Sequence, residues 1–273
     1  MLEVEASDGT KLHVEMHGEG PAILFSCAYC TTHENWRGQV EPLTAAGFRV
    51  VLWDYRGHGS SGSPEDPAAY TMERVVDDHD RVVDAVSPSA PIVLAGLSFG
   101  GLASLHYALA HRERVRALVL VDSGPGFKKP EAQARWEAQV ERTANFLETR
   151  GFADFVAGKA GATSIGRRPE LPAARAAAEA IIAQSVQGVA AFGRRVAGPC
   201  PCVIDDLERI ECPALVLVGE EDAAYLRAAE VMTAKLSNAE QSVVPAAGHI
   251  VNIEQADAFD RRVIGFLRGL PPV

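Results

Sequence analysis

Short runs of apolar, often β-branched residues alternate along this chain with segments whose apolar positions recur at helical spacing. Such runs are typical of strands buried on both faces of a parallel sheet, and the helical segments between them are expected to cover those faces. An antiparallel pair at 2–6 and 11–16 opens the chain, and the runs that follow are 22–26, 48–53, 91–95, 115–121, 214–218 and 241–244. The pattern therefore predicts an α/β fold with a mostly parallel, eight-stranded sheet and helices on both faces.

The alternation stops between Lys128 and Arg209, where Ala, Arg, Glu and Gln dominate and no convincing strand is found. Three helices are predicted in this segment, one marked by Trp136, Val140 and Leu147, one at 152–156 and one at 173–192. The segment is therefore interpreted as a helical insertion.

The position of this insertion, directly after the strand at 115–121, favours a cap over the carboxyl edge of the sheet. We expect an α/β core domain formed by 1–127 and 210–273 and a helical cap at 128–209. Apolar side chains of the cap, Trp136 and Phe155 among them, are expected to line a substrate pocket. The alternative is an extra helical bundle that only adds stability.

Composition and charge narrow the classes of partner. The 273 residues are 47% hydrophobic and 23% charged, as in ordinary globular proteins, and the formal net charge is −10. Because nucleic acids and anionic membranes are bound by concentrated Lys and Arg, neither is expected as a partner, whereas a small, mostly neutral substrate is. No apolar run reaches the length of about 18 residues that a membrane-spanning helix needs, and the first residues do not resemble a secretion signal. A cytoplasmic location is therefore expected. A homodimer is left open.

The cysteines do not indicate a metal or cofactor. Their number is five, which does not suit an obligatory disulfide framework, so free thiols are expected. Cys27 and Cys30 have C-x-x-C spacing, but no second pair and no paired histidines complete a zinc site. A redox-active pair is the alternative to buried, inert thiols. No metal and no cofactor are predicted.

A nucleophile is indicated at 96–101, where Gly-Leu-Ser-Phe-Gly-Gly lies between a predicted strand and a predicted helix. A strand that turns into a helix within about three residues forces the middle residue, Ser98, into a strained backbone conformation. Gly96 and Gly100 supply the room that this turn needs. The turn displays the serine hydroxyl at the carboxyl edge of the sheet, and the amide of Phe99 at the new helix N-terminus can donate to a developing oxyanion.

A serine nucleophile needs a base and a carboxylate that orients the base. His249 follows the last predicted strand in a Gly-His loop, and Asp222 follows the strand before it. These two give the chain order Ser, Asp, His with Ser98. Asp122 follows the strand at 115–121 and is the rival acid. His58 lies in a turn rich in glycine and charge at 54–61, which is interpreted as a hydrogen-bonded structural loop, with catalysis by His58 as the minority alternative.

These motifs resemble those of the α/β-hydrolases over nearly the whole chain outside the cap. The segment 96–101 matches the nucleophile elbow of that family, 54–61 resembles its D-x-R-G-x-G-x-S loop, and the segments ending in Asp222 and His249 match its acid and base. One motif departs from the family, because Cys27-Ala28 stands where most members carry His-Gly. By position, the resemblance makes the amide of Tyr29 the first oxyanion donor. The replaced segment is similar to the one in 3-oxoadipate enol-lactonases, which also lack His-Gly.

Serine at the elbow indicates acyl transfer, because the haloalkane dehalogenases and epoxide hydrolases of this fold use aspartate there. The resemblance implies a hydrolase that cleaves a carboxylic ester or lactone of a small molecule through an acyl-enzyme. Hydrolysis of carbon–carbon bonds or thioesters and perhydrolysis use similar residues and stay open. A non-catalytic receptor that binds a small ligand under the cap and a cofactor-free dioxygenase are further alternatives on the same fold.

Overall fold

One sheet of eight strands runs through the part of the chain that the structure describes, which confirms the prediction of the sequence pattern. The computed structural model describes residues 2–271. The strands are β1 (Leu2–Glu5), β2 (Lys11–His17), β3 (Ala22–Ser26), β4 (Arg49–Trp53), β5 (Ile92–Leu97), β6 (Val115–Val121), β7 (Ala214–Gly219) and β8 (Ala239–Val244). Their spatial order is β1-β2-β4-β3-β5-β6-β7-β8. β1 and β2 pair antiparallel, β2 also pairs antiparallel with β4, and all other neighbours are parallel. The carboxyl ends of β3 to β8 therefore share one edge.

Helices cover both faces of this sheet. They are α1 (Val40–Ala45), α2 (Met72–Val86), α3 (Phe99–Ala110), α4 (Pro130–Ala157), α5 (Pro172–Ala183), α6 (Val186–Phe192), α7 (Ala223–Lys235), α8 (Val251–Glu254) and α9 (Ala256–Gly269). Buried residues of α2, α3 and α7 join the core on one face, and those of α1, α8 and α9 join the core on the other. Within residues 2–271, none of the helices combines the length and hydrophobicity that a bilayer crossing requires.

The alternating direction of strand side chains produces these two cores. Leu24 of β3 belongs to the first, while its neighbours Ile23 and Phe25 belong to the second. All three are fully buried. A strand with apolar residues on both faces is the feature that the continuous apolar runs of the sequence predict.

The segment between β6 and β7 is helical, as predicted. The two helices expected around Trp136 and at 152–156 are both present, as two helical stretches of α4 on either side of Gly151. Gly151 has a φ of 74° and a ψ of 177°, which are not helical values, so the helical hydrogen-bonding path is interrupted there and the chain changes direction.

The single helix predicted at 173–192 is divided into α5 and α6. Ser185 caps α6, because its side chain accepts a hydrogen bond from the amide of Gly188 at 3.0 Å. The side chain of Gln184 points away and donates to the carbonyl oxygen of Cys30, also at 3.0 Å. A local cap at Ser185 and a contact of Gln184 with a segment far away in the sequence thus coincide at the break, and helical periodicity reveals neither.

The loop 54–61 is held by buried hydrogen bonds. Asp54 accepts from the amide of His33 at 2.8 Å and lies 2.6 Å from the Nδ1 atom of the same residue. His58 is fully buried, and its Nε2 atom accepts from the amide of Cys30 at 3.4 Å. Burial lowers the pKa of His58 to about 4, so its ring is neutral and can accept. These contacts favour the structural interpretation of the loop over catalysis by His58.

Arg56 ties this loop to two other elements. Its side chain is fully buried, and two of its nitrogens bind the carboxylate of Asp78 on α2 at 2.6 Å each. A third nitrogen reaches Asp8, in the turn between β1 and β2, at 2.7 Å. A bidentate pair of this kind is geometrically specific, so Arg56 fixes the position of the loop against α2.

Replacing Arg56 by Met is expected to destabilise the fold by about 3–5 kcal/mol, because the carboxylate of Asp78 would stay buried without its partner. Urea unfolding of Arg56→Met measures this loss. Arg227→Met is the matched control, since Arg227 also makes a 2.6 Å ion pair, with Glu230, but its side chain is 80% exposed. The control should lose less than about 1 kcal/mol. Equal losses in the two variants would contradict the role given to Arg56.

Candidate active site

Ser98 lies in a sharp turn between β5 and α3. Its φ is 54° and its ψ is −114°, a conformation that residues other than glycine rarely adopt. A Cβ atom at Gly96 would lie 2.2 Å from the carbonyl group of Gly100, and one at Gly100 would lie 2.3 Å from the carbonyl oxygen of Ser26. Both glycines are therefore required by close backbone contact, as the sequence predicts. The amide of Ser98 donates to the carbonyl oxygen of Val121 at 2.8 Å and fixes the turn to β6.

His249 and Asp222 form the hydrogen bond expected of a base and its orienting acid. Nδ1 of His249 lies 2.7 Å from Oδ2 of Asp222, and both side chains are about nine-tenths buried. When Nδ1 carries the proton that it donates to the carboxylate, Nε2 is left free to accept one. The sequence therefore identified two residues that the fold brings together from the loops after β7 and β8.

The hydroxyl of Ser98 has a different neighbour in this structure. Its Oγ atom lies 3.4 Å from the hydroxyl of Tyr225, and among residues 2–271 it makes no hydrogen bond with His249. Catalytic hydrogen bonds are often long or absent before substrate binds. Ser98, Asp222 and His249 all line one cavity, so the three groups share the space in which substrate would bind.

Asp122, the rival acid, is close to this pair but is bonded elsewhere. It is fully buried, its Oδ1 atom accepts from the amide of Gly219 at 2.8 Å, and its Oδ2 atom has no partner among the described residues. Oxygens of Asp122 and Asp222 lie within 4.8 Å of each other and of a His249 nitrogen. Burial, and then the charge of Asp222, raise the pKa of Asp122 well above its usual value. The raised pKa favours the neutral form of Asp122.

The two amides assigned to an oxyanion hole belong to Phe99, the residue after Ser98, and to Tyr29, in the loop after β3. Phe99 is the first residue of α3, where a backbone N–H has no partner within the helix. Tyr29 lines the same cavity as Ser98, and within residues 2–271 its amide makes no backbone hydrogen bond. Their assignment as oxyanion donors stays a prediction.

The cavity above Ser98 has a volume of about 750 Å³ and is bounded by both parts of the chain. Trp136, Val140 and Phe155 of α4 form one wall, together with residues of the core. The indole nitrogen of Trp136 donates to the carbonyl oxygen of Ala197 at 2.7 Å, which fixes the orientation of the ring. Trp136 and Phe155 therefore lie where the sequence predicts pocket residues.

Sequence reasoning missed Tyr225. It lies in the first turn of α7, its ring centroid is 4.9 Å from that of His249, and its hydroxyl reaches Ser98. Burial raises the pKa of Tyr225 to about 12. The sequence holds one weak signal, because Tyr225 follows Asp222 by less than one helical turn and must lie close to it.

In the described part of the chain, two groups of side chains have the donor atoms of a metal site. One is Asp122, Asp222 and His249, and the other is His13, Glu15 and His33. In the second group, Glu15 is bound by Arg37 at 2.6 Å and His33 contacts Asp54. These ionic contacts explain the cluster without an ion.

The thiols of Cys27 and Cys30 are fully buried or nearly so, and burial raises the pKa of both. High pKa values leave these cysteines as thiols, which neither bind metal nor attack disulfides well.

The model of the alpha/beta hydrolase fold family matches residues 21–256. The chain belongs to this family. Among solved structures, it resembles a thermophilic esterase from Thermogutta terrifontis, with 27% identity, 98% of each chain covered and a TM-score of 0.84. It also resembles the enol-lactonase from Burkholderia xenovorans LB400, with 26% identity, 98% of this chain and 100% of that chain covered, and a TM-score of 0.83.

A curated relative, an epoxide hydrolase from Caballeronia sordidicola, is 34% identical over 41% of this chain. The chain spans about a third, 34%, of the length of that relative. The expected resemblance to the enol-lactonase and carboxylesterase group is confirmed at the level of family and fold, and the two similar structures are named as an esterase and an enol-lactonase.

Replacing Asp122 by Asn tests the protonation state of this buried group. The pKa of Asp122 in the folded state is raised above its ordinary value of 3.8. The contribution of neutral Asp122 to the free energy of unfolding is therefore complete below pH 3.8 and is lost as pH rises through the folded-state pKa. Asn keeps an acceptor for the amide of Gly219 and cannot ionise. Asp122→Asn is therefore expected to unfold at a higher temperature than the wild type at pH 8, with little gain at pH 4. A difference that does not grow with pH would contradict a raised pKa.

Proposed function

We propose that this protein hydrolyses a carboxylic ester or lactone of a small molecule through an acyl-enzyme on Ser98. The observation that carries this proposal is the 2.7 Å hydrogen bond between His249 and Asp222, in the wall of the cavity that Ser98 lines. The names of the esterase and the enol-lactonase that resemble nearly the whole chain support the same class of substrate.

The reaction follows from the charges of these groups. Nε2 of His249 takes the hydroxyl proton as Oγ of Ser98 attacks the acyl carbon, and Asp222 stabilises the imidazolium that forms. The carbonyl oxygen gains negative charge, for which the amides of Tyr29 and Phe99 are the proposed donors. The bond to the alcohol oxygen then breaks, and His249 returns its proton to that oxygen. Water completes the cycle by hydrolysing the ester of Ser98 with the same base.

Serine at the elbow argues against epoxide opening, which is the activity given in the name of the Caballeronia sordidicola relative. An epoxide carbon carries no carbonyl, so its opening by an enzyme nucleophile leaves an alkyl ester only if that nucleophile is a carboxylate. A serine would form an ether, which water and a histidine base do not cleave. Ser98 is therefore suited to acyl substrates.

We also propose that residues 128–209 act as a cap that sets substrate choice. Its support is the shared cavity, in which apolar side chains of α4 face Ser98 and His249 of the core. Covering the site with apolar groups excludes water and strengthens the hydrogen bonds to the developing oxyanion. The residues that give the reaction its chemistry then lie in 1–127 and 210–273.

Replacing Ser98 by Ala should lower kcat for ester hydrolysis by about a thousandfold or more, because the variant lacks the hydroxyl that forms the acyl-enzyme. Turnover of a panel of esters, lactones and thioesters, each with the wild type and the variant, measures this loss and identifies the preferred bond. Far-UV circular dichroism and thermal unfolding check that the fold is kept. Activity above a few per cent of the wild type would exclude Ser98 as the nucleophile.

Replacing the acids separates Asp222 from its rival. Asp222→Asn should lower kcat by several orders of magnitude, because the amide cannot stabilise the imidazolium of His249. Asp122→Asn should lower it far less. If Asp122→Asn proved the more damaging at equal stability, the acid would be Asp122.

Trp136→Ala and Phe155→Ala should change the relative kcat/KM values for short, long and aromatic esters by about tenfold, because each change enlarges the cavity by an aromatic ring. Both variants should still react with a small fluorophosphonate. Ile182→Ala is the matched control, since Ile182 lies on α5, is 47% exposed and does not line the cavity. An unchanged ester preference in both cap variants would show that the insertion is only structural.

A further inference from the structure

Tyr225 lies beside His249, and its hydroxyl contacts the hydroxyl of Ser98. Its oxygen lies 3.4 Å from Oγ of Ser98, and among residues 2–271 this is the only hydrogen bond that the Tyr225 hydroxyl makes. The ring lies against the imidazole of His249, with an angle of 31° between the two planes. Tyr225 therefore contacts the base through its ring and the nucleophile through its hydroxyl.

The hydroxyl of Tyr225 is held in place by its backbone and keeps its proton. Tyr225 lies in the first turn of α7, and its amide donates to the carbonyl oxygen of Asp222 at 2.9 Å, so its backbone is tied to the acid of the site. Because burial raises its pKa to about 12, the phenol keeps its proton at neutral pH. A neutral phenol in a partly dry cavity can donate to an oxygen that gains charge, and it needs no reorganisation to do so.

We propose that Tyr225 is a further catalytic residue, which donates a hydrogen bond to Oγ of Ser98 while that oxygen leaves the acyl-enzyme. This inference rests on the proposed function, because it assigns a role in the second half of that reaction. Neither the family motifs nor the chain order of the triad points to this residue.

The step balances without a further reactant. Water attacks the acyl carbon of the Ser98 ester, and His249 takes a proton from that water. The bond between the acyl carbon and Oγ then breaks, its electron pair stays on Oγ, and His249 transfers its proton there. The acid product and the free serine result. Tyr225 keeps its own proton throughout and only donates a hydrogen bond.

The contribution should be larger in deacylation than in acylation. In the free enzyme Oγ belongs to a hydroxyl, which is already a good acceptor, whereas in the acyl-enzyme it is an ester oxygen, which is a poor one. The hydrogen bond therefore strengthens more between ground state and transition state when Oγ leaves than when it attacks. A hydrogen bond accelerates a chemical step only if it is stronger in the transition state than in the ground state.

The test compares wild type, Tyr225→Phe and the control Tyr70→Phe in rapid-mixing kinetics with p-nitrophenyl acetate. Tyr70 is also a buried tyrosine, and its hydroxyl makes one hydrogen bond, to the carbonyl oxygen of Pro64 at 3.0 Å, outside the cavity. Tyr225→Phe should lower the deacylation rate by about tenfold and the burst rate by only about twofold. The loss in deacylation is smaller than that caused by removing a donor to the oxyanion. The acyl-enzyme should then accumulate. The control should match the wild type, and the loss should be the same at pH 7 and pH 9.

A deacylation rate within twofold of the wild type, or equal losses in the burst and in deacylation, would overturn the role of Tyr225 and leave the proposed function intact. A wild type that forms no acyl-enzyme would overturn both. If Tyr225→Phe does not fold, 3-fluorotyrosine is incorporated at position 225 instead. Its hydroxyl is a stronger donor, so deacylation at pH 7 should become faster, and an unchanged rate would contradict the inference.

Discussion

The close approach of three backbone segments beneath Ser98 is the constraint on which the rest of the site depends. Gly96 touches Gly100, Gly100 touches the carbonyl oxygen of Ser26, and a Cβ atom at either glycine would overlap its neighbour. Strain at a single residue persists only when its surroundings over-determine it. Here β6 and the residues just after it supply that support. The carbonyl oxygen of Val121 accepts a hydrogen bond from the amide of Ser98. The hydroxyl of Ser123 donates to the carbonyl oxygen of Ser98 at 2.6 Å.

The base is held by a second set of contacts, which joins the core to the inserted helices. The carboxylate of Glu254 is buried and accepts from the amide of Gly248, directly before His249, at 2.9 Å. The charge of Glu254 is balanced by Arg167, which belongs to the insertion and lies 2.8 Å away. A buried carboxylate is stable only with such a partner. The loop that carries His249 and the insertion therefore stabilise each other, so a cap over this site would be fixed to the base as well as to the pocket.

The sequence was most informative where structure depends on neighbours along the chain. Continuous apolar runs identified the buried strands, paired glycines identified the elbow, and the strand ends identified Asp222 and His249. Features that depend on distant contacts could not be predicted in this way. The hydrogen bond from Gln184 to Cys30 at the break between α5 and α6 is such a contact, and the contact of Tyr225 with Ser98 depends on how α7 packs against the elbow. The pairing of the acid with His249 depends on loop geometry and not on chain order alone.

The central claim is that Ser98 is the nucleophile of a site that Asp222 and His249 activate. Its most direct test is mass spectrometry of the intact protein after incubation with a fluorophosphonate, followed by peptide mapping. One adduct per chain is predicted, located on Ser98, with labelling that slows sharply in His249→Ala and is absent in Ser98→Ala. An adduct on another residue, or labelling of Ser98 at the same rate without His249, would contradict the claim.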